Sequence, residues 1–258
     1  MTTRTASLGW LNTVALRLFE VVLFCASRFR VTNVEHIPAN GSAVVVSNHI
    51  SMADALVFAT TIGRSGRIPT FLGMAEMFRW PVIGPVISRM GHVPVHRGST
   101  EAADALRPAL DVLLRGGVVG LYPEGRVTTE ADYRPMPTGK SGAVRLALSA
   151  QCPIVPVAQW GAHHLLTREH ASALTRKVRV FGWLRPGRSH RRPRIDVVVG
   201  PPISYDELRT AATVAGSSEL DHKAATALVM DRLRELLAGL DAPDLPDMSS
   251  DATDVVAA

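Results

Sequence analysis

Short apolar runs alternate along the chain with longer stretches whose apolar residues recur every three or four positions. The runs at residues 43–47, 70–74, 92–96, 118–122, 154–158, 178–181 and 195–199 have the length and composition of strands. Between them, residues 53–62, 82–90, 101–114 and 142–150 follow the helical period. Pro108 predicts a kink or restart in the third of these helices, because an interior proline costs roughly 3 kcal/mol. Residues 220–240 carry an apolar stripe through Ala224, Leu228, Leu233 and Leu237, and Gly239 is placed to end that helix. Strands and helices in alternation predict an α/β domain with a mixed, largely parallel sheet flanked by helices.

The first thirty residues have a different character. Residues 8–27 are apolar enough to suggest a membrane span, but Arg17 and Glu20 interrupt them, and Val21 to Ala26 is too short for the centre of a removed signal peptide. On a helix, Leu8, Leu11, Ala15, Leu18, Val22 and Ala26 form one stripe, with Thr13, Arg17 and Glu20 largely off it. That pattern predicts an amphipathic helix lying in a membrane interface as a monotopic anchor; it also fits a helix packed on its own domain. From Ala242 onward the chain is short of large apolar residues and rich in Asp, Pro and Ser, which predicts disorder. The expected organisation is therefore an interface helix (1–30), an α/β domain (31–240) and a disordered tail (241–258), with no internal repeat.

Composition narrows the partners. Hydrophobic residues make up 47% and charged residues 20%, a globular balance, and 258 residues can bury one substantial core. A net charge of +5 and a pI near 9.8 predict attraction to an anionic surface, either lipid or nucleic acid. The two cysteines, Cys25 and Cys152, lie far apart in apolar surroundings and are expected to be buried thiols, which suits a reducing, cytosolic compartment.

Chemistry is concentrated where predicted strands end. Ser47-Asn48-His49-Ile50-Ser51-Met52-Ala53-Asp54 follows the first strand, an edge that ligand sites favour in α/β sheets. Across a turn, the Asp54 carboxylate can bind one ring nitrogen of His49 and leave the other to take a proton from a hydroxyl. Nine His and thirteen Asp give about 0.5 chance occurrences of this spacing, so the pair alone is a weak signal. Ser51 and Asp54 also fit a helix-capping pair, with no catalytic meaning. Leu121-Tyr122-Pro123-Glu124-Gly125-Arg126 follows another strand and presents an acid and a base, or else forms a polar turn. Gly91-His92-Val93-Pro94-Val95-His96-Arg97-Gly98 ends in an arginine suited to phosphate oxygens or to a solvated edge. Cys152-Pro153-Ile154-Val155-Pro156-Val157 offers only an apolar wall.

These four blocks, in this order, resemble the glycerophospholipid acyltransferase family, whose members include 1-acylglycerol-3-phosphate acyltransferases. The matching pieces are Asn48 to Asp54, Gly91 to Arg97, Pro123 to Gly125 and Val155 to Val157. The resemblance implies acyl transfer from acyl-CoA or acyl-carrier protein to the hydroxyl of 1-acylglycerol 3-phosphate, a step of phospholipid biosynthesis, without cofactor or metal. His49 would be the general base and Asp54 its orienting partner. Arg97, Glu124, Gly125 and Arg126 would hold the acceptor, and Val155, Pro156 and Val157 would line the acyl channel. The family's third block usually continues Pro-Glu-Gly-Thr-Arg, whereas here Arg126 directly follows Gly125 and Val127 takes the arginine place. The family also often has a lysine in the region read here as Met-Ala-Glu-Met (Met74 to Met77); Lys140 is a candidate substitute that the sequence does not place. Both departures bear on the acceptor, so another lipid hydroxyl, or a membrane-bound protein without turnover, stands as the alternative.

A basic run spans Arg176, Lys177, Arg179, Arg185, Arg188, Arg191, Arg192 and Arg194. It reads as a solvated edge, or, with the N-terminal helix, as a surface for anionic lipid on the cytoplasmic side of the cell membrane. Phe181 and Trp183 lie within it, but no nucleic-acid motif or repeated basic-aromatic platform does, so nucleic acid is not an expected partner. His163, His164 and His170 lack supporting ligands and are expected to be surface histidines rather than a metal site.

Overall fold

The computed structural model describes residues 3–81, 83–95, 106–128, 133, 138–165, 192–214 and 220–240. Among them are the strands β1 (Arg28–Thr32), β2 (Ala43–Ser47), β3 (Pro69–Met74), β4 (Val93–Val95), β5 (Val118–Leu121), β6 (Ile154–Trp160) and β7 (Arg194–Val199). They join in one sheet in the order β1-β7-β6-β2-β5-β3-β4. Every neighbouring pair is parallel except β6 and β7, so the sheet is mixed and largely parallel. Central β2 is buried at every residue, as a strand covered on both faces must be. The expected strand at residues 178–181 lies outside the described residues.

The helices are α1 (Thr3–Ala26), α2 (Asp54–Arg64), α3 (Ile83–Arg89), α4 (Leu106–Leu114), α5 (Gly142–Ala150), α6 (Tyr205–Ala212) and α7 (His222–Ala238). Alternation along β2 sorts the core into two layers. Val44 and Val46 face α4, α5, α6 and α7 through Leu113, Val144, Leu208 and Leu233. Val45 faces the opposite layer with Leu23 of α1 and Val57, Phe58 and Ile62 of α2.

Three elements differ from the sequence expectation. Strand β1 begins inside the segment assigned to the N-terminal helix (1–30) and runs past its end; its exposed Arg28 and Arg30 hide a strand in which only Phe29 and Val31 are partly buried. Helix α6 is short and polar on average, and is marked by its cap, where Ser204 Oγ accepts from the Glu207 N–H at 3.1 Å. In α7 the buried stripe runs through Ala225, Val229, Leu233 and Leu237, four residues apart, so Ala224 is exposed and Leu228 only half-buried.

Helix α1 docks on α2. Leu16 packs against Gly63, Leu23 is fully buried, and Glu20 accepts from Arg64 Nε at 2.9 Å. Its other side is also apolar, with Val14, Leu18, Val21, Val22 and Phe24 exposed, Leu18 at 59% and Phe24 at 67%. No helix among the described residues is long and apolar enough to cross a membrane.

Candidate active site

Strands β2, β5 and β6 are parallel, so the segments leaving their C-terminal ends emerge at one edge of the sheet. The turn after β2 carries Asn48 and His49, the turn after β5 carries Tyr122 to Glu124, and β6 brings Gln159 near its end. Sequence-distant blocks thereby meet around one histidine.

His49 Nδ1 lies 3.0 Å from Asp54 Oδ2. Asp54 is fully buried, while the His49 side chain keeps 13% exposure. The carboxylate only accepts, so the Nδ1 proton points at Asp54 and Nε2 is the nitrogen that can accept a proton. The same Oδ2 accepts from the backbone N–H groups of Ile50 at 2.6 Å and Ser51 at 2.7 Å. Asp54 thus meets both the His49 ring and the backbone of the turn. One oxygen closes the turn before α2 and also orients the ring. Ser51 is not capping α2 in the expected way: its Oγ accepts from the Ala53 N–H at 3.1 Å and donates to the Ala162 carbonyl at 3.4 Å. Burial raises the Asp54 pKa above the usual carboxylate value, and the hydrogen bond from His49 opposes that rise.

The Pro123-Glu124-Gly125 turn clamps His49 from the other side. Buried Glu124 accepts the His49 backbone N–H at 2.8 Å through Oε1, and the Thr128 N–H donates to the His49 carbonyl at 2.8 Å. Gly125 has φ +69°, a left-handed conformation that favours glycine. A Cβ there would also meet Lys140, whose Cε and Nζ would lie 2.9 and 3.1 Å away. Lys140 is held at this turn by its own N–H, which donates to the Pro123 carbonyl at 2.8 Å. The structure thus seats Lys140 over the block that the sequence could not connect it to.

Two site residues escape motif reading. The Tyr122 ring stacks on the His49 imidazole with centroids 3.9 Å apart and planes 10° apart. Gln159 exchanges three hydrogen bonds with Asn48: its N–H donates to Asn48 Oδ1 at 2.9 Å, Asn48 Nδ2 donates to its carbonyl at 2.9 Å, and its Nε2 donates to the Asn48 carbonyl at 3.0 Å. The one available signal was an amide inside the otherwise apolar run of β6.

Arg126 is exposed beside Gly125, and Arg97 lies outside the described residues. Val155 and Val157 are fully buried in the layer shared with Val57 and Phe58, and Pro156, between them, points to the other layer near Leu236. In register, Val157 lies next to Ser47, two residues before His49. Of the histidines expected at the surface, His164 is exposed but His163 is buried, because its ring packs against Tyr133, Trp160 and His164; His170 lies outside the described residues. Among the described residues no three His, Cys, Asp or Glu are grouped to hold a metal. The cysteine expectation holds for one residue only. Cys152 is buried, which pushes its thiol pKa up to about 11, whereas Cys25 is exposed on α1 because it lies on the side turned away from α2.

The family model described as Acyltransferase matches residues 28–160, more than half of the chain, from the start of β1 to the end of β6. The chain belongs to the acyltransferase family. Members with sequence similarity include the 1-acyl-sn-glycerol-3-phosphate acyltransferases of Borreliella burgdorferi, 29% identical over 139 residues, and Bacillus subtilis, 26% identical over 145 residues. These matches cover 54% and 55% of this acyltransferase-family chain and 53% and 67% of the two relatives, so the chain spans about half the length of the first of them. Among solved structures, the 1-acyl-sn-glycerophosphate acyltransferase PlsC of Thermotoga maritima shares the fold at a TM-score of 0.63, with 19% identity, over 94% of this chain and 86% of its own.

Proposed function

We propose that the protein transfers a fatty acyl group from a thioester, acyl-CoA or acyl-carrier protein, to the hydroxyl of a 1-acylglycerol 3-phosphate, with His49 as general base. The observation that carries this reading is the His49–Asp54 pair, with Nδ1 bound at 3.0 Å and Nε2 left to act. Nε2 takes the acceptor's hydroxyl proton as the oxygen attacks the thioester carbonyl. The C–S bond then breaks, and the departing thiolate takes the proton back from His49. A base placed in this way is worth roughly 10²- to 10⁴-fold in rate. Cys152 is a poor nucleophile for a covalent route, because a thiol with its pKa near 11 stays protonated at neutral pH.

Lys140 and Arg126 flank Gly125 and offer cationic donors to the acceptor's phosphate, with Arg97 as a third. Glu124 supports the same site from beneath by holding the His49 backbone. Val155 and Val157, buried in the layer of Val57 and Phe58, back an apolar wall for the acyl chain next to Ser47, whereas Pro156 is turned to the other layer and takes no part in it. The exposed apolar side of α1, with Arg17 on the helix and Arg28 and Arg30 just beyond it, suits a peripheral position on an anionic bilayer at its cytoplasmic face. Names of the relatives support the acceptor, and the Arg126 and Val127 departure makes other lysolipids the comparison to run.

The test is transfer of a labelled acyl chain to a panel of lysolipids by the wild type and His49→Ala. Turnover confined to the wild type, with 1-acylglycerol 3-phosphate preferred, is the expected result. Equal turnover by both proteins would remove His49 as the base, and preference for another lysolipid would change the acceptor.

A further inference from the structure

Tyr122 belongs to no part of the acyl-transfer reading, yet its ring covers one face of the proposed base almost in parallel. The ring is locked. Phe58 meets it at 5.4 Å with the planes tilted by 50°, and its buried hydroxyl lies against Gln159, which is itself bonded to Asn48, the residue before His49. Burial, then the nearby Asp54 carboxylate, raises the Tyr122 pKa well above its ordinary value, so the hydroxyl stays protonated and is no proton carrier for His49.

A histidine that takes a substrate proton becomes an imidazolium for the lifetime of the intermediate. An aromatic face held against a cation stabilises it, and more so where water is excluded. We propose that Tyr122 is a positioning residue whose ring fixes the His49 imidazole and stabilises its protonated form during turnover. The proposal rests on His49 acting as the base. The other titratable groups facing His49 are Asp54, at Nδ1, and Glu124, at the backbone N–H. His163, on the turn after β6, is engaged by Tyr133 and Trp160.

The experiment is an NMR titration of the His49 imidazole in the full chain, paired with kcat and KM against pH, for Tyr122→Phe and Tyr122→Leu. Tyr122→Phe keeps the ring and is expected to stay within about twofold of wild type in kcat, because face and volume are preserved. Tyr122→Leu is expected to lower the His49 titration midpoint by about half to one and a half pH units and kcat by about three- to thirtyfold, with KM for both substrates unchanged. Should Tyr122→Leu fail to fold, Tyr122→Met fills similar volume without a π-face and carries the same expectation. An unmoved titration and kcat in the non-aromatic variant would overturn the proposal, as would a Tyr122→Phe that loses as much as Tyr122→Leu, since the hydroxyl would then be the active part. Failure of the underlying reading shows separately: His49→Ala would then retain turnover, whatever the titration of His49 in the Tyr122 variants.

Discussion

Asp54 binds both the turn before α2 and the proposed base with a single oxygen, which accepts from His49, Ile50 and Ser51. Its pKa is raised by burial, so the folded state penalises the charged form; that penalty is present above the folded-state pKa and is relieved as pH falls. Asparagine in its place can still accept the two backbone N–H groups but brings no charge to hold an imidazolium. Asp54→Asn is therefore expected to keep or raise the thermal midpoint at pH 7 while lowering turnover about 10²- to 10⁴-fold, checked by calorimetry and steady-state kinetics on one preparation. Lys140 makes the complementary prediction. Lys140→Ala is expected to raise KM for a phosphate-bearing acceptor about tenfold with little change in kcat, because it removes a cationic donor outside the His49 network. The position of two motif blocks directly after apolar strands made His49, Asp54 and Glu124 legible as neighbours, because strand ends converge on one edge. It could not show that Glu124 binds the His49 backbone, that Tyr122 stacks on the ring, or that Lys140 reaches Gly125. Those relations depend on a stacking plane and a loop path that no local pattern encodes.

At the scale of elements, the buried strands announced themselves as continuous apolar runs, whereas β1 did not, since its alternate residues are exposed and basic. The stripe of α7 was displaced by one position at its start for a related reason: alanines on adjacent positions do not mark which side faces inward. His92 shows how a loop residue ties two such elements. Just before β4, its ring accepts the Phe71 N–H of β3 through Nδ1 at 3.2 Å, and burial lowers its pKa to about 4. Because the folded pKa lies below the unfolded value of about 6.5, the unfolded chain binds the proton first as pH falls. Stability from this residue is complete above the unfolded pKa and declines between about 6.5 and about 4, by roughly 3 kcal/mol at most. A His92→Phe variant is expected to show a flatter dependence of thermal midpoint on pH across that window, and an equally steep one would assign the acid sensitivity elsewhere.

For the molecule as a whole, α1 uses one side to cover the sheet and leaves a second apolar side uncovered. Replacing Leu18 and Phe24 by aspartate spares the buried Leu23, so the fold should persist while flotation with vesicles of anionic phospholipid drops about tenfold or more. Undiminished flotation would move the lipid-facing surface away from α1. The outer strands of the described sheet have a consequence of another kind. Strand β1 carries Arg28 and Arg30 on exposed positions, and β4 carries an exposed Pro94, which has no N–H to offer an incoming strand. Charge at one border and a missing donor at the other act as gatekeepers against edge-to-edge aggregation. An Arg28→Val/Arg30→Val variant is expected to unfold within a few degrees of wild type yet scatter light increasingly with protein concentration, so that colloidal behaviour, more than folding, is what these two arginines protect.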